Sequence, residues 1–260
     1  MLRPRIIPCL LMRDKGLVKT VKFKEGKYIG DPINAVRIFN EKEADELIVL
    51  DIDATTHGTE PDFHRISYLA SECQMPLCYG GGVHTVDQAK KIIALGVEKV
   101  AISSAAVENP EIISKISAEI GRQSVVVVLD IKKKRLIKAF DVWSHNATKN
   151  SKRDVLSVIE QVQKLGAGEV VLNFIDRDGT MKGYDIDFIN KVKSVCRVPL
   201  TVLGGAGSLS DMGDVVARCG LVGLAAGSLL VFKGKYRAVL INYPSDEVKN
   251  NNIYNRLKHD

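Results

Sequence analysis

Two short acidic stretches, about 125 residues apart, hold the residue types from which a site could be built. Phe174-Ile175-Asp176-Arg177-Asp178-Gly179-Thr180 follows an apolar run from Glu169, and Leu50-Asp51-Ile52-Asp53-Ala54-Thr55 closes another. Gly179 can take backbone angles closed to other residues, so its loop can turn amide groups inward around an anion. An isolated Asp-Gly is an ordinary turn, but this one belongs to a repeated pattern. Each stretch leads into a helical pattern and then a Pro-Leu strand ending in glycines, Pro76 to Gly82 and Pro199 to Gly207. Ala101-Ile102-Ser103-Ser104-Ala105 and Leu224-Ala225-Ala226-Gly227-Ser228 come next in the two halves, so the chain reads as a doubled unit.

The chemistry of such a doubled pattern is anion binding. Gly81 and Gly82 with Ser103 and Ser104 offer backbone amides and two hydroxyls to one phosphate. Asp178-Gly179, Gly204-Gly205 and Gly227-Ser228 make a second cradle across the mouth. Either cluster alone is as well explained by tight strand–helix packing. Two in matching positions favour phosphate, and a substrate phosphorylated at both ends or a nucleotide diphosphate fits the spacing.

The elements that position these residues alternate between strand and helix patterns. Arg5–Leu10, with Leu11 at its end, is the first strand. The lysine-rich stretch 14–30 reads as an exposed, mobile loop. Asp31-Pro32 opens a helix with a cap and a first-turn proline. Strands follow at Glu46–Asp51, Pro76–Gly80 and Lys99–Ser103, with a helix between about Pro61 and Glu72. Thr85 and Gln88 form a capping box for the helix Val86–Leu95, which Gly96 closes. Ser124–Leu129 is a valine-rich strand stopping at Asp130, and a basic hairpin-like insertion carrying Trp143 spans 131–150. A helix runs from near Ser151 to Gly166, with Val155, Leu156, Ile159 and Val162 at helical spacing. Strands at Glu169–Phe174, Pro199–Leu203 and Leu221–Ala225 complete eight, and a short last helix stops at Tyr243-Pro244. Eight alternations predict a (β/α)8 barrel of two similar half-barrels over residues 1–244, followed by a loosely held polar tail, 245–260. In such barrels the chemistry sits at the C-terminal strand ends, here Leu11, Asp51, Gly80, Ser103, Asp130, Asn173, Leu203 and Ala226.

Bulk composition narrows the classes. The 260 residues are 45% hydrophobic, enough for a large core. Five cysteines without a C-x-x-C pair point to a reducing cytoplasm and to neither a disulfide framework nor a metal site. No apolar stretch is long enough to span a membrane, and the N-terminal residues run directly into a strand, so neither a span nor a signal peptide is expected. The net charge of +6 comes without an aromatic–basic platform, so phosphorylated small substrates explain it better than nucleic acid. No cofactor is expected.

These motifs together resemble the HisF family, the cyclase subunit of imidazole glycerol phosphate synthase. Arg5-Ile-Ile-Pro-Cys-Leu, Gly30-Asp31-Pro32, Ala44-Asp45-Glu46-Leu47, Gly80-Gly81-Gly82, Ser104 to Pro110, Gly166-Ala167-Gly168-Glu169, Asp176 to Thr180 and Gly204-Gly205-Ala206-Gly207 carry the likeness across nearly the whole chain. The resemblance implies a glutaminase partner on the N-terminal face of the barrel, whose ammonia passes through the barrel to substrate. It assigns Arg5, Glu46, Lys99 and Glu169 to a charged entry gate and Lys19 to a substrate-contacting loop. It also implies two acid–base aspartates at the ends of the first and fifth strands.

The chain departs from that pattern at its mouth. Asp130 supplies the second aspartate, but Leu11 occupies the first position, and leucine cannot carry a proton. Asn173-Phe174 and Leu203 stand where the family has small hydroxyl residues. Kept cradles and gate with an altered mouth are similar to HisF-like proteins associated with surface-sugar amidation, a likeness that the run Ala238–Pro244 shares. The expectation is then ammonia-dependent amidation of a phosphorylated or nucleotide-linked sugar for lipopolysaccharide or another surface glycan, with a sugar amidotransferase as further partner. Histidine-pathway cyclisation and a non-catalytic barrel that activates the glutaminase are the alternatives.

Overall fold

Eight apolar runs form parallel strands in the computed structural model, which describes residues 2–134 and 139–257. They are β1 (Ile6–Arg13), β2 (Leu47–Asp51), β3 (Leu77–Gly80), β4 (Lys99–Ile102), β5 (Val125–Lys133), β6 (Glu169–Phe174), β7 (Leu200–Leu203) and β8 (Gly223–Ala226). Each pairs in parallel with the next, and β8 returns to β1 with Leu224 opposite Ile6, so the ring has no open edge. This is the expected (β/α)8 barrel. Strand alternation sorts the side chains into two apolar clusters. Ile6 and Leu10 join the layer beneath the helices, whereas Ile7, Cys9 and Leu11 join Ile48, Cys78, Val126, Val171 and Ala225 along the axis.

Local signals set several helix starts. Asp31 caps the helix Pro32–Glu41 through the Asn34 amide, and the Thr85–Gln88 capping box is present as expected. A second box, Ser208 with Asp211, opens the helix Leu209–Cys219. Among the described residues, no helix is long and apolar enough to cross a membrane.

Four expectations need correction. The stretch 14–30 is not an exposed loop but a hairpin, Gly16–Val21 with Lys24–Gly30, that extends β1 with Leu11 opposite Val18. Lys22 and Phe23 turn it with φ of 53° and 61°, the left-handed pair that matches strand twist. The helix expected from Ser151 begins at Val155, because 149–154 pairs with Phe140–Ser144 as an antiparallel strand. Residues 131–150 do form the expected hairpin, although 135–138 lie outside the described residues. The last helix of the barrel spans only Ser228–Val231, and Phe232–Lys233 then pairs with Ala238–Val239.

The fourth correction concerns the tail. Asp246–Asn252 is a helix with Ile253 fully buried after it, and residues 258–260 lie outside the described residues. Tyr243 donates to Ile6 O at 2.8 Å and accepts from the Asp45 amide at 3.0 Å, and Lys249 reaches Asp45 at 3.0 Å. The segment therefore clamps the starts of β1 and β2. Its seat depends on Gly213, where a Cβ would lie 2.1 Å from Asn252 O. Alanine improves helix propensity by about 1 kcal/mol, but overpacking typically costs about 1–3 kcal/mol. Gly213→Ala is thus expected to lower the thermal midpoint and to increase proteolysis after Tyr243, which calorimetry and limited digestion would measure.

Candidate functional site

The C-terminal strand ends enclose a cavity of about 110 Å³ whose walls include Leu11, Lys19, Asp51, Gly81, Ser103 and Asp130. Asp130 is the last inward-facing position of β5 before the strand leaves the ring, and Asn173 lies beside it on β6. Asn173 donates to Asp130 Oδ1 at 2.8 Å, and Ser103 donates to Oδ2 at 3.4 Å. Burial pushes the Asp130 carboxyl up to about 7, further raised by nearby Asp178 and opposed by the Asn173 and Ser103 hydrogen bonds. Such a group is poised to exchange protons near neutrality. Across the same cavity, Leu11 packs in the axial apolar cluster with Val18, Val128 and Leu203.

The structure places the other predicted residues in two groups. Gly81, Gly82, Ser103, Ser104 and Asp51 line the main cavity. Asp51 is partly committed to its own loop, accepting from the Asp53 and Ala54 amides at 3.1 Å each. Burial raises its pKa, and those two amides oppose the rise. Lys19, Asp178, Gly179, Gly204, Gly205, Gly227 and Ser228 line a second recess beside it. Packing contributes to the glycines as well: at Gly81, φ is +121° and a Cβ would lie 2.4 Å from Asp51 O. At Gly205 the same test meets Gly183 O at 2.2 Å.

The hairpin places Lys19, at 5% exposure, against equally buried Asp178. The lysine reaches Oδ1 at 3.1 Å, and Thr20 donates to Oδ2 at 2.8 Å. The Asp178 carboxylate is therefore matched to a buried cation. Thr20 escaped the sequence reading, and Asn173, read there as a mouth residue, was not read as the partner of Asp130, since neither residue type signals a carboxylate partner before strand register is known. Arg237 was missed for a different reason: its segment reads as helix but folds as the hairpin 232–239, whose Arg237 touches Gly179 and Ser228.

At the opposite end of the barrel, four charges close into a ring. Arg5 pairs with Glu46 and, at 2.9 Å, with Glu169, while Lys99 reaches Glu46 at 2.7 Å and Glu169 at 2.9 Å. Thr201 adds a 2.6 Å hydrogen bond to Glu169, a contact made possible by Gly223, where a Cβ would meet Thr201 Oγ1 at 2.1 Å. Burial alone would raise the Glu169 pKa; Arg5 and Lys99 outweigh it and hold the carboxyl below its ordinary value. Above the ring lies the axial cluster of Ile7, Ile48, Cys78, Val126 and Val171, and above that Asp130. Among the described residues no cluster of His, Cys, Asp and Glu could hold a metal ion.

Sequence comparison agrees with this geometry. The family described as histidine biosynthesis protein matches residues 5–237. A relative from Vibrio vulnificus, provisionally named an imidazole glycerol phosphate synthase subunit, is 61% identical over 249 residues, covering 96% of each chain. One from Pseudomonas aeruginosa with the same provisional style of name is 51% identical, covering 94% of this chain and 97% of its own. The imidazole glycerol phosphate synthase subunit HisF of Lactococcus lactis is 35% identical, covering 99% of this chain and 98% of its own. This chain belongs to the HisF family of histidine biosynthesis proteins.

Proposed function

We propose that this protein is the synthase subunit of a glutamine amidotransferase complex: it receives ammonia at the Arg5–Glu46–Lys99–Glu169 ring and delivers it along the barrel axis to a phosphorylated substrate at Asp130. The observation that carries the reading is the stacking of three layers on one axis, a charged ring, an apolar interior and one carboxylate of raised pKa. The glutaminase would dock on the ring face. Neutral ammonia crosses an apolar interior at less cost than ammonium, because transfer of an unpaired charge is the larger penalty. Gly81, Gly82, Ser103 and Ser104 would take one phosphate, and Gly204, Gly205, Gly227 and Ser228 another. The cavity of about 110 Å³ is below the ~300 Å³ typical of small-molecule sites.

Synthesis of imidazole glycerol phosphate is the reaction that the relatives' names favour. One observation favours a second reading. Leu11 removes one carboxylate of the family's pair and Lys19 occupies Asp178, which suits a different acceptor, such as a nucleotide-linked surface sugar. Ammonia-dependent turnover of the phosphorylated histidine-pathway intermediate separates the two. Ready turnover by the natural protein supports the cyclase reading. Silence there, with activity appearing in Leu11→Asp, supports the changed acceptor; loss of one acid–base partner is worth about 10²–10⁴-fold.

A further inference from the structure

Arg237 joins two spaces that the fold otherwise separates. On one side lies the recess of Gly204, Gly205, Gly227 and Ser228; on the other, a groove of about 560 Å³ between the 16–30 hairpin and the 176–185 loop. Its guanidinium stacks 4.8 Å from the Phe232 ring, and Nη2 donates to Gly179 O at 3.0 Å and Ser228 Oγ at 3.2 Å. Nε shares that edge of the planar group, and among the described residues it is buried without a hydrogen-bond partner. A buried charged donor left unpaired is costly, and with both Nη2 N–H groups spent on Gly179 and Ser228, Nε is the donor on this edge left for an anion oxygen. The backbone around it is built for this placement, since Arg237 holds a left-handed φ of 51° and Lys27 donates to its carbonyl at 3.1 Å.

The groove beyond Arg237 has the same character. Lys22, Lys133 and Lys182 line it, and among the described residues none of the three pairs with a carboxylate. Its acidic groups are engaged elsewhere: Asp176 accepts the Lys133 amide at 3.0 Å, and Asp185 pairs with Arg177 at 3.6 Å and accepts the Phe188 amide at 3.3 Å. Among the described residues no comparable set of free cations lines the other cradle, where Arg13 is bound to Asp53.

We propose that the Gly204–Ser228 recess and this groove form one continuous diphosphate site with Arg237 as the side chain shared by its halves, so that the substrate is a diphosphate ester. The proposal rests on the reading that the recess takes a phosphate. One phosphate sits against Gly204, Gly205 and Ser228; the second sits across Arg237, facing Lys182 and Lys22.

The test is titration of inorganic phosphate and of pyrophosphate at equal ionic strength, followed by backbone-amide NMR of the full chain. Pyrophosphate is expected to bind about tenfold or more tightly than phosphate, shifting Gly204, Gly205 and Lys182 together. Arg237→Met weakens both anions, Lys182→Met weakens pyrophosphate alone, and Lys235→Met, on the exposed turn of the same hairpin, changes neither. Should phosphate shift Gly204 and Gly205 while pyrophosphate gains nothing, or should Lys182→Met match Lys235→Met, the diphosphate site is wrong and the cradle stands. If neither anion moves those amides, the cradle reading fails first and takes this one with it.

Discussion

Asp130→Asn is expected to reduce ammonia-dependent turnover by about 10²–10⁴-fold while making the protein more stable at alkaline pH. Addition of ammonia to a carbon centre leaves a positively charged nitrogen that must shed a proton, and Asp130 is the available acceptor. It acts as carboxylate, so turnover per free ammonia should rise with pH and level off above about 7. With Leu11 opposite, no second acid–base residue is assigned to a falling limb, and Asp51, raised by burial in the same cavity, would only add to the rise. The stability effect has the opposite sign. Folding raises the Asp130 pKa, so between about 4 and 7 the folded state binds the extra proton, and stability falls as pH rises through that window. A full rise to about 7 corresponds to ~4 kcal/mol. Asp130 keeps partial access to solvent, so about 1–3 kcal/mol is expected from Asn at pH 8 and nothing at pH 4. Urea unfolding at the two pH values measures it. Unchanged turnover together with the stability gain would mean that Asp130 is buried in the mouth without an acid–base role in the reaction.

The parts of this site that sequence made legible are those set by local rules. The doubled Pro-Leu-to-glycine pattern located both recesses, and the valine run placed Asp130 at a strand end. The ring of Arg5, Glu46, Lys99 and Glu169 came through the family likeness, and the barrel register closed it. What stayed hidden depends on tertiary pairing. Residues 16–30 look like a loop because their lysines dominate, yet pairing with β1 turns Lys19 and Thr20 inward onto Asp178. The run 228–244 has an apolar content that suits a helix, but Phe232 and Val239 pair across a hairpin instead, and that places Arg237 at a recess more than fifty residues away in sequence from Gly179. The tail looked loose because it is polar; one buried residue, Ile253, and one buried ion pair, Lys249–Asp45, hold it.

Lys99→Met is the substitution expected to cost most in stability, about 3–5 kcal/mol near neutral pH. Two nearly buried carboxylates, Glu46 and Glu169, share two cations, and removing Lys99 leaves Arg5 between them with one uncompensated negative charge. The extra packing that a methionine offers is worth about 1 kcal/mol, too little to offset a stranded carboxylate. The pH dependence distinguishes this cause from a packing defect. In the natural protein Glu169 is held below its ordinary pKa, so its contribution is full above about 4.5 and is lost as pH falls through the lower folded value. In the variant one glutamate has a raised pKa and is relieved by protonation, so the deficit should shrink towards pH 4.5. Charge balance gives the decisive comparison. Lys99→Met with Glu46→Gln restores one cation to one anion and should recover at least half of the loss, whereas a cavity defect would worsen. A cost below ~1 kcal/mol, or no recovery, would mean that the four residues act as separate surface pairs. The same variants divide stability from the proposed ammonia entry. If the ring admits ammonia from the docked glutaminase, the double variant should regain stability yet keep a low ratio of glutamine-driven to ammonium-driven turnover.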